Sequence, residues 1–220
     1  MEDPSVSLDK FGLDAELIST LDKEWGIKKL FPPQAEALPY SLNGDNVMLT
    51  IPTASGKSLI AHLTIVHRLT NDLKGQKAVY VVPLKALAQE KMSELREITA
   101  HTDLKVGLAI GDRESEKSSI ENSDIMVCTS EKLDSLIRTR SSLMDKIGIV
   151  ITDEFHLIND IGRGPTLEIV LSRIRHRKPD VQIIALSATV GNSKELANWL
   201  DAKLIKSTWR PVSLEYGILN

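Results

Sequence analysis

The chain has 220 residues, of which 42% are hydrophobic and 26% charged, with a formal net charge of −3. That is enough apolar material for one sizeable core with small flanking segments, and too little positive charge for an autonomous nucleic-acid binder, so any such contact is local or shared with other parts. A single cysteine, Cys128, excludes an internal disulfide framework and suits a cytoplasmic setting; no apolar run reaches the roughly 18 residues of a membrane span, and Met1-Glu2-Asp3-Pro4 does not open a secretory signal.

The first 45 residues read as two helices, at 14–25 and 33–41, closed by the turn Asn43-Gly44-Asp45. From there, short apolar runs alternate with longer segments of helical period. The runs are 46–51, 78–82, 106–110, 125–129, 147–152 and 182–187. Val79-Tyr80-Val81-Val82 and Ile149-Val150-Ile151 are continuous rather than alternating, the pattern of strands buried on both faces of a parallel sheet. Helices are expected at 58–72, 84–98, 131–139, 165–177 and 193–200. Leu59, Leu63, Val66 and Leu69 mark the apolar face of the first of these. Pro165 suits a first helical turn, where its missing N–H needs no partner. The polar stretch 113–122 reads as a loop or a short exposed helix. Strand–helix alternation at this rhythm predicts an α/β domain, a mostly parallel sheet with helices on both faces.

Between the strand at 46–51 and the helix from Ser58 lies Pro52-Thr53-Ala54-Ser55-Gly56-Lys57-Ser58. Small polar residues running into a helix N-terminus are what a phosphate loop requires. Backbone N–H groups and the helix dipole face the anion, and Gly56 lets the backbone approach closely. Lys57 would reach the terminal phosphates and Ser58 would offer its hydroxyl to magnesium. Ile51 stands where the general signature has its first glycine.

The strand at 147–152 ends in Asp153-Glu154-Phe155-His156. Two adjacent carboxylates beside an apolar strand are costly unless they sit at its exposed mouth or have a task. At the carboxyl end of a sheet strand, Asp153 could hold magnesium and Glu154 could polarise an attacking water. The alternative is an N-capping aspartate with a dipole-favoured glutamate behind it.

Other residues have plainer readings. Cys128 lies within Ile125-Met126-Val127-Cys128 and reads as a small core residue. Arg173, Arg175, Arg177 and Lys178 read as cations complementing a helix C-terminus rather than as a nucleic-acid patch. His62, His67, His101 and His176 have no zinc spacing. Trp25, Trp199 and Trp209 read as packing anchors rather than base-stacking platforms.

Thr53-Ala54-Ser55-Gly56-Lys57-Ser58, Asp153-Glu154-Phe155-His156 and Ser187-Ala188-Thr189 stand in the order of the superfamily-2 DExH helicases, which the chain resembles from about residue 30 to 212. That superfamily tolerates the non-glycine Ile51. The resemblance is to the superkiller-type branch, and within it to archaeal DNA-repair helicases acting at stalled forks; the helicase portion of DNA polymerase theta belongs to the same branch. It implies a RecA-like P-loop NTPase domain that binds ATP and Mg2+ through Ile51, Pro52, Thr53, Ala54, Ser55, Gly56, Lys57 and Ser58. Catalysis would fall to Lys57, Asp153 and Glu154, with the metal on Ser58 and Asp153. Leu30-Phe31-Pro32-Pro33-Gln34 resembles the Q motif, so Gln34 would read adenine, its one amide offering donor and acceptor. Lys85, Gly111, Asp112, Thr129 and Ser130 match motifs that contact a nucleic-acid strand. Ser187 and Thr189, with His156, match those that couple hydrolysis to strand movement.

The resemblance further implies a division of the chain into an N-terminal helical segment (1–30), a first RecA-like domain (31–212) and the start of a connection (213–220) to a second RecA-like domain. The expected activity is ATP-dependent unwinding of single-stranded or forked DNA in the 3′–5′ direction, nearly silent in this segment alone because the partner domain completes the ATP site. An RNA helicase of the same superfamily, or a P-loop ATPase that does not act on nucleic acid, are the alternatives.

Overall fold

The computed structural model describes residues 5–53, 55–111, 120–139 and 141–210. Two expected site residues, Ala54 and Asp112, lie outside them, as do 113–119 of the polar stretch and the expected connection at 213–220 with Pro211 and Val212 before it.

The N-terminal segment is more than a helix. A short strand β1 (Val6–Ser7) pairs antiparallel with β2 (Lys29–Leu30). Two-residue strands carry no periodicity, so the sequence shows no sign of them. Between them runs α1 (Ala15–Trp25). The Asp14 carboxylate accepts from the N–H groups of Glu16 and Leu17 at 2.8 and 3.3 Å, and Gly26 ends the helix at φ 64°. Leu17 and Leu21 bury one face of α1, and the Trp25 indole N–H donates to Glu97 at 2.9 Å. The next helix, α2 (Pro32–Leu42), begins with two prolines in its first turn, where no N–H is missed.

The main sheet has seven strands: β3 (Val47–Thr50), β4 (Lys77–Val82), β5 (Val106–Ala109), β6 (Ile125–Thr129), β7 (Ile147–Thr152), β8 (Gln182–Ser187) and β9 (Lys203–Lys206). Their order is β5-β6-β4-β7-β8-β3-β9, and every pairing is parallel. All six strands expected from the apolar runs are present. The seventh, β9, escaped because Lys203-Leu204-Ile205-Lys206 buries only Ile205, as an edge strand needs. Helices α3 (Lys57–Thr70), α4 (Lys85–Ile98), α5 (Ser130–Thr139), α7 (Gly164–Arg177) and α8 (Ser193–Leu200) fall where helical period predicts them, and α6 (Ser141–Lys146) is an additional short one.

Alternate residues of each central strand feed two cores. On β4, Ala78, Tyr80 and Val82 join the layer under α1, α2, α3 and α4, whereas Val79 and Val81 join the layer under α5, α7 and α8. Both faces are therefore covered, which is why these strands read as continuous apolar runs. Cys128 is fully buried in the second layer, and burial pushes its thiol up to about 12.

Three cations of the basic cluster, Arg173, Arg175 and Lys178, bond to neighbouring elements, whereas Arg177 is exposed. Arg173 pairs with Asp134 of α5 at 2.6 Å, and Arg175 donates to the Trp199 carbonyl with its guanidinium 5.9 Å from the indole centroid. Lys178 donates to Gln76 and to the Asp145 carbonyl, at 3.0 and 3.1 Å. These are ties between elements as much as dipole complements. The start of α7 is also tight: a Cβ on Gly164 would sit 2.0 Å from the Ile158 carbonyl oxygen.

Candidate nucleotide-binding site

Because the strands are parallel, all their carboxyl ends lie along one rim. The chain runs from β3 to β4 across two positions later filled by β8 and β7, so β3, β8 and β7 are neighbours. Thr50 pairs with Ser187, and Thr152 with Ala185. The phosphate loop after β3, Ser187-Ala188-Thr189 after β8 and Asp153-Glu154 after β7 therefore meet side by side, although far apart in sequence.

The loop is built as a cradle. Gly56 caps α3 at φ 69°, a backbone conformation that resists any side chain, and a Cβ there would meet the Gln34 amide nitrogen at 2.6 Å. Lys57 opens the helix with 7% exposure, and no hydrogen bond ties its side chain among the described residues. The hydroxyls of Ser55, Thr50 and Thr152, at the ends of the loop and of its flanking strands, are buried without hydrogen-bond partners among the described residues. Orphan hydroxyls and a sequestered ammonium at a helix N-terminus fit an anion such as a phosphate chain.

Gln34 faces the backbone of the loop in this arrangement. Its amide carbonyl accepts from Phe31 N–H at 2.8 Å, and its NH2 group donates to the carbonyls of Ser55 and Gly56 at 3.3 and 2.8 Å. Both amide hydrogens are thus engaged with the loop, and pairing with adenine requires one of them to be released. The residue is 2% exposed and ties the start of α2 to the cradle. Phe31 packs on Trp209, ring centroids 4.4 Å apart.

Across the rim, Asp153 is fixed at both carboxylate oxygens. Tyr80 of β4 donates its phenol to Oδ2 at 3.1 Å, and Glu154 N–H donates to Oδ1 at 2.9 Å. Lone pairs remain on each oxygen. Among the described residues, no group of three or more His, Cys, Asp or Glu side chains is placed to hold a metal ion by itself. One carboxylate and one hydroxyl suit Mg2+ only together with substrate phosphates and water, which is its usual mode. Glu154 stands at φ 50°, ψ 44°, a left-handed conformation costing a non-glycine residue about 1 kcal/mol or more. It is held there by the fully buried Phe155 that follows. A small cavity of ≈ 20 Å³ lies against Asp153, Glu154, Ser130 and Arg163, the room of a single water.

His156 joins two of the segments. Its Nδ1 lies 3.3 Å from Glu154 Oε2 and 3.4 Å from Ala188 N–H, which donates to it. One ring nitrogen donates to the carboxylate or accepts from the amide, never both at once. Ser187 turns its hydroxyl to the neighbouring Ala188 carbonyl, and Thr189 is exposed.

The residues expected to touch a strand lie further along the rim. Lys85 and Thr129 line one open groove with Leu84, Ile110 and Lys132, and Lys132 donates to the Gly111 carbonyl. Lys85 is exposed at the start of α4, whereas Ser130 is buried and lines the small cavity beside Asp153 instead. Leu84 is 45% exposed. The sequence reading missed Tyr80 and Arg163, which line the acidic site. A tyrosine in the middle of a strand otherwise made of Lys, Ala and Val is the signal that pointed to the first.

The model of the DEAD/DEAH box helicase family matches residues 31–196. The chain belongs to that family. Its fold is accordingly the RecA-like one expected. Curated relatives include ATP-dependent DNA helicases Hel308 of Pyrococcus horikoshii, 49% identical over 92% of this chain, and of Pyrobaculum calidifontis, 44% identical over 97%. The chain spans 28% and 29% of the length of these relatives. Among solved structures, the DUF1998 helicase MrfA bound to DNA superposes with a TM-score of 0.81 at 26% identity, over 94% of this chain and 31% of that one. No described helix of this family member is long and apolar enough to cross a membrane.

Proposed function

We propose that this helicase-family chain is the first motor domain of an ATP-dependent DNA helicase, acting 3′–5′ on single-stranded or forked DNA during repair of stalled replication forks. One observation carries the reading: the phosphate loop, Asp153-Glu154 and Ser187-Ala188-Thr189 occupy three adjacent strand ends on one rim. The substrate follows from relatives whose names specify DNA and from a structural neighbour bound to it.

Lys57 binds the terminal phosphates of ATP, and the Gly56 backbone admits them closely. Ser58 and Asp153 would hold Mg2+, which would supply charge neutralisation on those phosphates. Glu154 orients the attacking water and takes its proton. His156, able to bond Glu154 or Ala188 but not both, carries the state of the acidic site to the segment after β8. Lys85, Thr129 and Gly111 border the groove where the DNA backbone lies, with Asp112 and Ser130 beside them in the sequence. A second RecA-like domain of the longer protein completes the ATP site, so this segment alone binds nucleotide weakly and turns it over very slowly.

The test is ATP hydrolysis by the full-length protein with forked DNA, forked RNA or neither. DNA stimulation, abolished by Lys57→Ala and by Glu154→Gln with nucleotide binding retained in the latter, is expected. Preference for RNA assigns an RNA helicase, and indifference to both nucleic acids removes the helicase reading.

A further inference from the structure

We propose that Tyr80 is a positioning residue of the nucleotide site, whose phenol hydroxyl orients the Asp153 carboxylate at the end of β7. The proposal rests on the ATP–Mg2+ reading of that site given above.

Tyr80 sits in mid-sheet, between Val127 of β6 and Ile151 of β7, and is fully buried. A phenol there is costly unless its hydroxyl is used, and a phenylalanine would fill the same space without that cost. The hydroxyl is used at the rim: it donates to Asp153 Oδ2 at 3.1 Å. With Glu154 N–H on Oδ1, it also fixes the plane of the Asp153 carboxylate. The ring is backed by His62, centroid to centroid 5.8 Å, which leaves it little freedom to swing away.

A positioning role differs from a packing role in its metal dependence. In the full-length protein, the affinity for a fluorescent ATP analogue is measured with Mg2+ and with EDTA, for the parent and for Tyr80→Phe. The variant is expected to bind the analogue within about twofold of the parent in EDTA, and to lose roughly tenfold of the tightening that Mg2+ gives, the worth of one hydrogen bond to a charged group. An unchanged Mg2+ response in Tyr80→Phe, or an equal loss with and without Mg2+, overturns the proposal. If Mg2+ and Lys57→Ala do not alter analogue binding in the parent either, the nucleotide-site reading has failed and takes this proposal with it. If they do and Tyr80→Phe behaves as the parent, only the role of Tyr80 is refuted.

Discussion

Gln34→Glu isolates the tie between α2 and the phosphate loop, because the two side chains have nearly the same shape. In the parent, the amide NH2 donates to the Ser55 and Gly56 carbonyls at 3.3 and 2.8 Å. The substitution puts a carboxylate oxygen where that donor stood, facing two carbonyl oxygens in a position that is 2% exposed. Two hydrogen bonds are lost, each about 1 kcal/mol net, and a carboxylate oxygen facing carbonyl dipoles adds about 1 kcal/mol more, so the loss is about 3 kcal/mol. The Phe31 N–H keeps its acceptor, so the start of α2 is not the part that fails. A domain of this size moves its melting midpoint by roughly 2–4 °C per kcal/mol, so the variant should melt about 6–12 °C below the parent at neutral pH. Calorimetry or circular dichroism reads the midpoint directly. A Gln34→Glu protein that melts with the parent would refute the assignment of Gln34 as a tie on the loop.

Gly164→Ala should cost at least about 2 kcal/mol in a urea titration, because its Cβ meets a backbone oxygen at 2.0 Å, whereas Gly191→Ala, with nothing within 4 Å, should be near neutral. His62 is fully buried, and burial, then Lys91, lower its pKa from 6.5 to about 3 despite the Glu94 carboxylate 3.5 Å away. The unfolded chain therefore takes up that proton first, so its contribution to stability is whole above about pH 6.5 and is lost from there down to about 3. The loss runs at up to about 1.4 kcal/mol per pH unit, and acid titration of His62→Leu should show a shallower decline over that window. A slope identical to the parent's would count against a neutral His62 in the fold. Cys128, with its thiol pushed up to about 12 and no exposed surface, should resist iodoacetamide in the folded protein and react once it is unfolded in urea.

The sheet was legible in the sequence because its strands are buried on both faces. Ile149-Val150-Ile151 and Val79-Tyr80-Val81-Val82 leave little else to be. What stayed hidden was short or half-exposed. β1 and β2 have two residues each, β9 buries a single isoleucine, and α6 spans Ser141–Lys146, too few residues for a helical period to show. At the site, Lys57, Asp153 and Glu154 announced themselves through charge in apolar surroundings. The work done by Gln34 did not, because its partners are backbone carbonyls of residues distant in sequence, and no residue type encodes a carbonyl. The basic cluster on α7 shows the same limit from the other side. Its charges were visible, but Asp134, Trp199 and Gln76, the groups that absorb them, are brought near only by the fold.

The ring contact between Phe31 and Trp209 joins the residue before α2 to one of the last described residues of the chain. Gln34, three residues on from Phe31, anchors that contact to the phosphate loop. A displacement of Trp209 would therefore be felt at the cradle by two routes, through Phe31 and Gln34 and through the edge of the sheet, where β9 pairs with β3 and Ser207 donates its N–H to Thr50.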